Sequence, residues 1–160
     1  MIARWATIGV CVAVLASCKK PKPEEAVHDN AAQSSISKGK NFEIETRGPA
    51  ACNAGAECAA LVHLKALGNF HINKEYPYRF LAKPSPGIKF VGKDPGGPEI
   101  FSKAAGDFLI DSEKEASLSV SFVPDAKGRA TVSGVYKMSV CTEEACEIQE
   151  APLSIDVTVL

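Results

Sequence analysis

The chain has 160 residues, 46% hydrophobic and 23% charged, with 18 basic and 19 acidic side chains and a formal net charge of −1. That balance lacks the basic footprint of a nucleic-acid-binding protein, so nucleic acid is not expected as a partner. Six cysteines in so short a chain make the redox compartment the first question.

Residues 1–17 answer it. One positive charge in "MIAR" precedes the apolar run "WATIGVCVAVLA", and "LASC" closes the segment at Cys18. The run is too short to span a bilayer, which takes about 20 apolar residues, and reads as a signal peptide. Leu15-Ala16-Ser17-Cys18 resembles the bacterial lipobox. That resemblance implies cleavage before Cys18 and acylation of its sulfur and nitrogen; the alternative is an ordinary secretory leader that happens to contain a cysteine. Several acyl chains hold a protein to a membrane where one chain is marginal. Residues 18–160 are therefore expected in the bacterial cell envelope, lipid-anchored, in the periplasm or on the outer surface. Cys11 leaves with the leader and Cys18 is taken by lipid. Cys52, Cys58, Cys141 and Cys146 remain, an even set that should be oxidised, with three connectivities open.

Residues 18–40 are dominated by Lys, Pro, Glu and Ser and carry almost no apolar side chains. Such a segment cannot bury enough surface to offset its ordering entropy and reads as a lipidated flexible tether. Lys19 and Lys20 flank the anchor, and His28 has no partner in the sequence.

Residues 41–160 are long enough for one domain with its own core. Period-two alternation is the leading signal. Phe42 and Ile44 alternate with Glu43 and Glu45. Leu118, Val120 and Phe122 alternate with Ser119 and Ser121, and Leu153, Ile155, Val157 and Val159 with Ser154, Asp156 and Thr158. The one passage with helical character, "AECAALVHLKAL", alternates Leu61, His63 and Lys65 with Val62, Leu64 and Ala66 equally well. Turn signals separate the runs at "KPSPG", "KDPGGP", "SKAAGD" and "PDAKGR". The pattern predicts an all-β antiparallel sandwich.

No phosphate loop, dinucleotide fingerprint, zinc signature or nucleophile elbow is present. His63 and His71 have no acid or cysteine cluster at metal-ligand spacing. Glu143, Glu144, Glu147 and Glu150 lack the glycine-containing loop of a calcium site and read as a solvated acidic surface. No metal or cofactor is expected.

The cysteines carry what chemistry there is. Within "CTEEAC", a straight strand would hold Cys141 and Cys146 about 16 Å apart. A helix would set them about 140° apart around its axis. Bonded to each other, they require a hairpin with Thr142–Ala145 as its loop. Val132, Tyr136, Met138 and Val140 share one parity and read as the core face; Lys137, Ser139 and Cys141 share the other, so Cys141 is expected on the outer, accessible face. Closing so short a loop removes about 2 kcal/mol of chain entropy, against about 5 for a 100-residue loop. A modest clip and an exchanging pair both fit. The nearby glutamates disfavour a thiolate, which fits a relay better than a fast general oxidant. Cys52 and Cys58, in "ACNAGAEC", enclose a short insert of small residues and read as a structural bridge, with cross-pairing to the later cysteines left open.

"GVYKMSVCTEEAC" at residues 134–146 and "LGNFHINKEYPYRFLAKPSPGIKF" at 67–90 are similar to segments of the amino-terminal periplasmic domain of the thiol:disulfide interchange protein DsbD and of free-standing disulfide-corrector domains. The resemblance covers about residues 40–160. It implies an immunoglobulin-like sandwich whose exposed disulfide, Cys141–Cys146, takes electrons from a membrane partner and passes them to thioredoxin-like proteins, without a cofactor. It places Phe70, His71, Tyr76 and Tyr78 near the pair without giving them a role. The chain departs from the family in having "EIQE" where prolines follow the second cysteine, and Cys52 and Cys58 have no counterpart there. The competing expectation is a lipid-tethered binding module whose bridges are both structural.

Overall fold

The computed structural model describes residues 33–160. The leader, the lipidation expected at Cys18, and the tether before residue 33 lie outside them. Eleven strands follow in chain order: β1 (Ser34–Lys38), β2 (Phe42–Arg47), β3 (Cys58–Ala66), β4 (His71–Ile72), β5 (Arg79–Ala82), β6 (Ile88–Phe90), β7 (Ile100–Ser102), β8 (Phe108–Ile110), β9 (Glu115–Pro124), β10 (Gly128–Cys141) and β11 (Cys146–Val159). All pairings are antiparallel. One sheet runs β1-β2-β3-β9-β6 with β8 also on β9; the other runs β11-β10-β5-β7 with β4 at the end of β10. If β2, β3, β9 and β8 are A, B, E and D, and β5, β10 and β11 are C, F and G, the order is ABED against CFG, the arrangement of an immunoglobulin-like sandwich. The all-β fold class is as expected.

Alternation accounts for the long strands. On β9, Ala116, Leu118, Val120 and Phe122 are buried while the intervening serines turn outward. The passage with helical character forms β3, with Ala60, Val62 and Leu64 buried against the facing sheet. On β10 the predicted core set Val132, Tyr136, Met138 and Val140 is fully buried. Full burial of such side chains is worth about 1.5–3 kcal/mol each.

Regular structure is present before the expected boundary at residue 41. β1 lies inside the segment read as tether and pairs with β2 from Ser34↔Arg47 to Lys38↔Glu43. All five of its side chains are exposed. It is held by backbone ladder bonds and by a Ser35–Thr46 hydroxyl contact of 2.7 Å, so it leaves no trace in apolar patterning.

Tyr136 is fully buried, and its hydroxyl has no hydrogen-bond partner among the described residues. Burial holds the Tyr136 phenol far above its ordinary pKa, and Tyr78, also fully buried, is raised by the same cause. Both stay protonated in the fold at pH values where the unfolded chain ionises, near pH 10. Neither tyrosine makes stability depend on pH below about pH 10, and above it the fold loses about 1.4 kcal/mol for each tyrosine by pH 11. Tyr136→Phe is expected to raise neutral-pH stability by about 1 kcal/mol, because it removes an unpaired buried hydroxyl, and to flatten the alkaline limb. Urea denaturation at pH 7 and pH 11 checks both.

Candidate functional site

β10 and β11 form one long hairpin in unbroken register from Gly128↔Val159 to Cys141↔Cys146. Its turn is closed by the Thr142 N–H donating to the Ala145 carbonyl at 2.8 Å. The Thr142 hydroxyl oxygen accepts the N–H groups of Glu144 and Ala145 at 3.3 and 3.2 Å, which explains a threonine at the first loop position. Strand pairing at the hairpin mouth brings the Cys141 and Cys146 Cα atoms to 4.0 Å, and the two are bonded to each other. Cys52 and Cys58 form the second bridge. Cross-pairing is thereby excluded.

The two bridges occupy different surroundings. Cys52 and Cys58 are 1% and 7% exposed and belong to the hydrophobic core cluster. Their loop is docked on the end of the chain, where the Leu160 N–H donates to the Cys52 carbonyl and the Ala54 N–H to the Leu160 carbonyl. The Cys141–Cys146 bridge lies outside that cluster. Cys146 is exposed, whereas Cys141 is only 4% exposed.

The low exposure of Cys141 corrects the expectation that it is accessible. The parity is right, since Ser139 and Cys141 are on the face opposite Met138 and Val140, but that face is covered. β4 pairs with the far edge of β10, His71 opposite Cys141 and Ile72 opposite Val140. Beyond β4, the Asn73 amide nitrogen Nδ2 reaches the Ser139 hydroxyl at 3.2 Å and Cys146 Sγ at 3.7 Å. The Tyr78 hydroxyl donates to the Ser139 carbonyl. Ser139 is consequently fully buried on what alternation reads as a solvent face.

The segment carrying these contacts is itself braced. Tyr78 stacks on Phe108 at 4.1 Å and meets the edge of Tyr76 at 5.2 Å. Lys114 Nζ donates to the carbonyls of Gly68 and Phe70, and Lys103 Nζ to that of Lys74. Between this segment and the hairpin turn lies a polar groove lined by Asn69, His71, Lys74, Glu113, Lys114 and Glu143. Of the glutamates grouped by the sequence, Glu147 is held by Asn41 through both carboxylate oxygens at 2.9 Å, and Glu150 pairs with Lys137 at 2.8 Å. Glu143 and Glu144 remain on the turn itself.

Of the residues expected near the pair, His71 and Tyr78 are in the shell around it, with Tyr76 packed behind Tyr78. Phe70 is half-buried against the core and contributes its carbonyl to the Lys114 contact. His63 is on the other sheet, opposite Glu45 and Ser117. Among the described residues no three His, Cys, Asp or Glu side chains converge as a metal-ligand set. Asn73 is the neighbour that reading the sequence missed, and Ser139, expected beside Cys141 on an outer face, is instead fully buried. The only available signal was the position of Asn73 in "HIN", two residues after His71.

No protein-family model matches the chain, and no curated protein matches it. Among solved structures it is similar to AggA, the major subunit of aggregative adherence fimbriae type I from Escherichia coli, at 12% identity and a TM-score of 0.36, covering 81% of this chain and 97% of that one. It is also similar to the ASH/PapD-like domain 7 of human CEP192, at 13% identity and a TM-score of 0.33, covering 92% and 98% of the two chains.

Proposed function

We propose that the chain is a lipid-anchored, extracytoplasmic thiol–disulfide exchange domain that relays electrons through Cys141–Cys146, with thioredoxin-like or membrane thiol proteins as partners and Cys18 as the anchor. The supporting observation is the contrast between the bridges: one is part of the core, and the other stands outside it at a hairpin mouth, with Cys146 exposed and Cys141 covered. Two bridged pairs also fit an oxidising compartment.

The asymmetry supports one order of events. A partner thiolate attacks Sγ of the exposed Cys146; an intermolecular S–S bond forms, the Cys141–Cys146 bond breaks, and Cys141 leaves as a thiolate that is protonated from water. The partner's second thiolate then attacks the partner sulfur of that mixed disulfide and releases Cys146 as a thiolate. The partner ends as a disulfide and this domain as a dithiol, two electrons having moved. In the opposite direction Cys146 attacks and Cys141 resolves.

The test uses Cys141→Ser and Cys146→Ser, each with its remaining thiol of the pair converted to a thionitrobenzoate mixed disulfide and offered to a thioredoxin that keeps only its outer active-site cysteine. The expected result is a covalent adduct through Cys146 in Cys141→Ser, formed at least about tenfold faster than any adduct through the covered Cys141. A competing reading, a structural clip in a binding module, draws on the burial of Cys141. It predicts a lowered melting temperature in both variants and no adduct in either.

A further inference from the structure

We infer that Asn73 is the hydrogen-bond donor that stabilises a thiolate on Cys146 and so sets the reactivity of the outward sulfur. The inference rests on the exchange reading for its functional meaning, but its test does not need a partner protein. Asn73 Nδ2 is 3.7 Å from Cys146 Sγ, the one side-chain donor on that sulfur among the described residues. The orientation of the amide is fixed by its other end, because Asn73 Oδ1 accepts the Glu75 N–H at 3.0 Å. Turning the amide over would lose that bond and aim an oxygen at the sulfur. The backbone is fixed too, with the Asn73 N–H donating to the Ser139 carbonyl at 3.3 Å. A short rigid turn thus presents an N–H₂ group to the mouth of the hairpin.

A donor at that place discriminates between states of the sulfur. A sulfur in a disulfide is a weak acceptor and gains little from it, whereas a thiolate is a charged acceptor and gains much more. The bond therefore favours the thiolate over both the thiol and the disulfide.

The charged surroundings make such a donor consequential. Glu143 and Glu144 on the turn and Glu147 on β11 oppose a negative sulfur. On the facing side stand His71 on β4, Lys74 and Glu75 after it, and Glu113 and Lys114 across the groove. Of those cations, Lys114 is already directed at the carbonyls of Gly68 and Phe70. The Tyr78 hydroxyl is spent on Ser139. No cation among the described residues bonds either sulfur, so a neutral amide supplies what a lysine or arginine supplies elsewhere.

The experiment reduces Cys141–Cys146 in the otherwise intact protein, leaves Cys52–Cys58 closed, and follows iodoacetamide alkylation of Cys146 against pH by peptide mapping. Asn73→Asp keeps an acceptor for the Glu75 N–H while placing an oxygen where the donor stood; Asn73→Ala removes both. The Cys146 titration is expected to move upward in both variants. Alkylation at pH 7 should slow about tenfold in Asn73→Asp and about threefold in Asn73→Ala. Melting temperatures are recorded alongside. An unshifted titration in Asn73→Ala overturns the inference, whether or not that variant loses stability, and a shift confined to Asn73→Asp does so as well, since it reports added charge alone. An unshifted titration together with a normal thioredoxin adduct removes Asn73 and leaves the exchange reading standing. A shifted titration with no adduct does the reverse.

Discussion

Under native conditions with a small dithiol reductant, Cys141–Cys146 is expected to open at least about a hundredfold faster than Cys52–Cys58. Both sulfurs of the second bridge belong to residues in the hydrophobic core, and its loop is tied to Leu160 by two backbone bonds. Attack there requires a local opening of the structure. An opening that costs as little as about 2.7 kcal/mol already slows the reaction a hundredfold. Cys146 is exposed as it stands and needs no such step. Timed quenching with an alkylating reagent, followed by peptide mapping, separates the two bridges. Equal rates would mean that the hairpin bridge is as well protected as the core bridge, and the proposed division of roles would fail.

Gly134→Ala is expected to destabilise the domain by about 3 kcal/mol and to lower its melting temperature by about 10 °C. Gly134 is in the middle of β10, opposite Leu153 on one side and Ala82 on the other. A Cβ added there would lie 2.5 Å from the Leu81 carbonyl oxygen and 2.5 Å from Cζ of Phe80. The carbonyl belongs to β5 and cannot swing away without loosening the sheet. The Phe80 ring is fully buried and packs against Phe101. A glycine inside a strand is normally a weakness; here it makes room for an aromatic ring from the neighbouring strand. The change lies far along β10 from the hairpin mouth, so Cys141–Cys146 should still form. Calorimetry measures the loss, and a melting temperature within about 2 °C of the parent would show that β5 yields more easily than its packing implies.

The long strands were legible because each buries one face. Leu118, Val120 and Phe122, or Leu153 to Val159, can alternate with polar residues only in an extended chain with one dry side. The short strands were not. β4, β6, β7 and β8 have two or three residues each, too few to show a period. β1 buries no side chain and is held by backbone bonds and polar side-chain contacts to β2, which apolar patterning does not register. At the site, spacing restricted a Cys141–Cys146 bond to a hairpin and parity put Cys141 on the correct face. Parity says which way a side chain points, not what lies over it. The cover comes from residues 71–78, more than sixty positions away, through the β4 ladder and through contacts of Asn73 and Tyr78 to Ser139. These are long-range contacts of polar groups with no periodic signature, and they leave Cys141 covered while Cys146 is exposed.

The proposed relay is tested most directly by the reduction potential of Cys141–Cys146, measured in glutathione or dithiothreitol buffers with Cys52–Cys58 monitored in the same samples. A value above about −300 mV, within the range of proteins that trade disulfides, is predicted for the hairpin bridge, with the core bridge remaining oxidised throughout. A value below that limit, alongside an equally resistant Cys52–Cys58, would make both bridges structural and contradict electron relay by this domain.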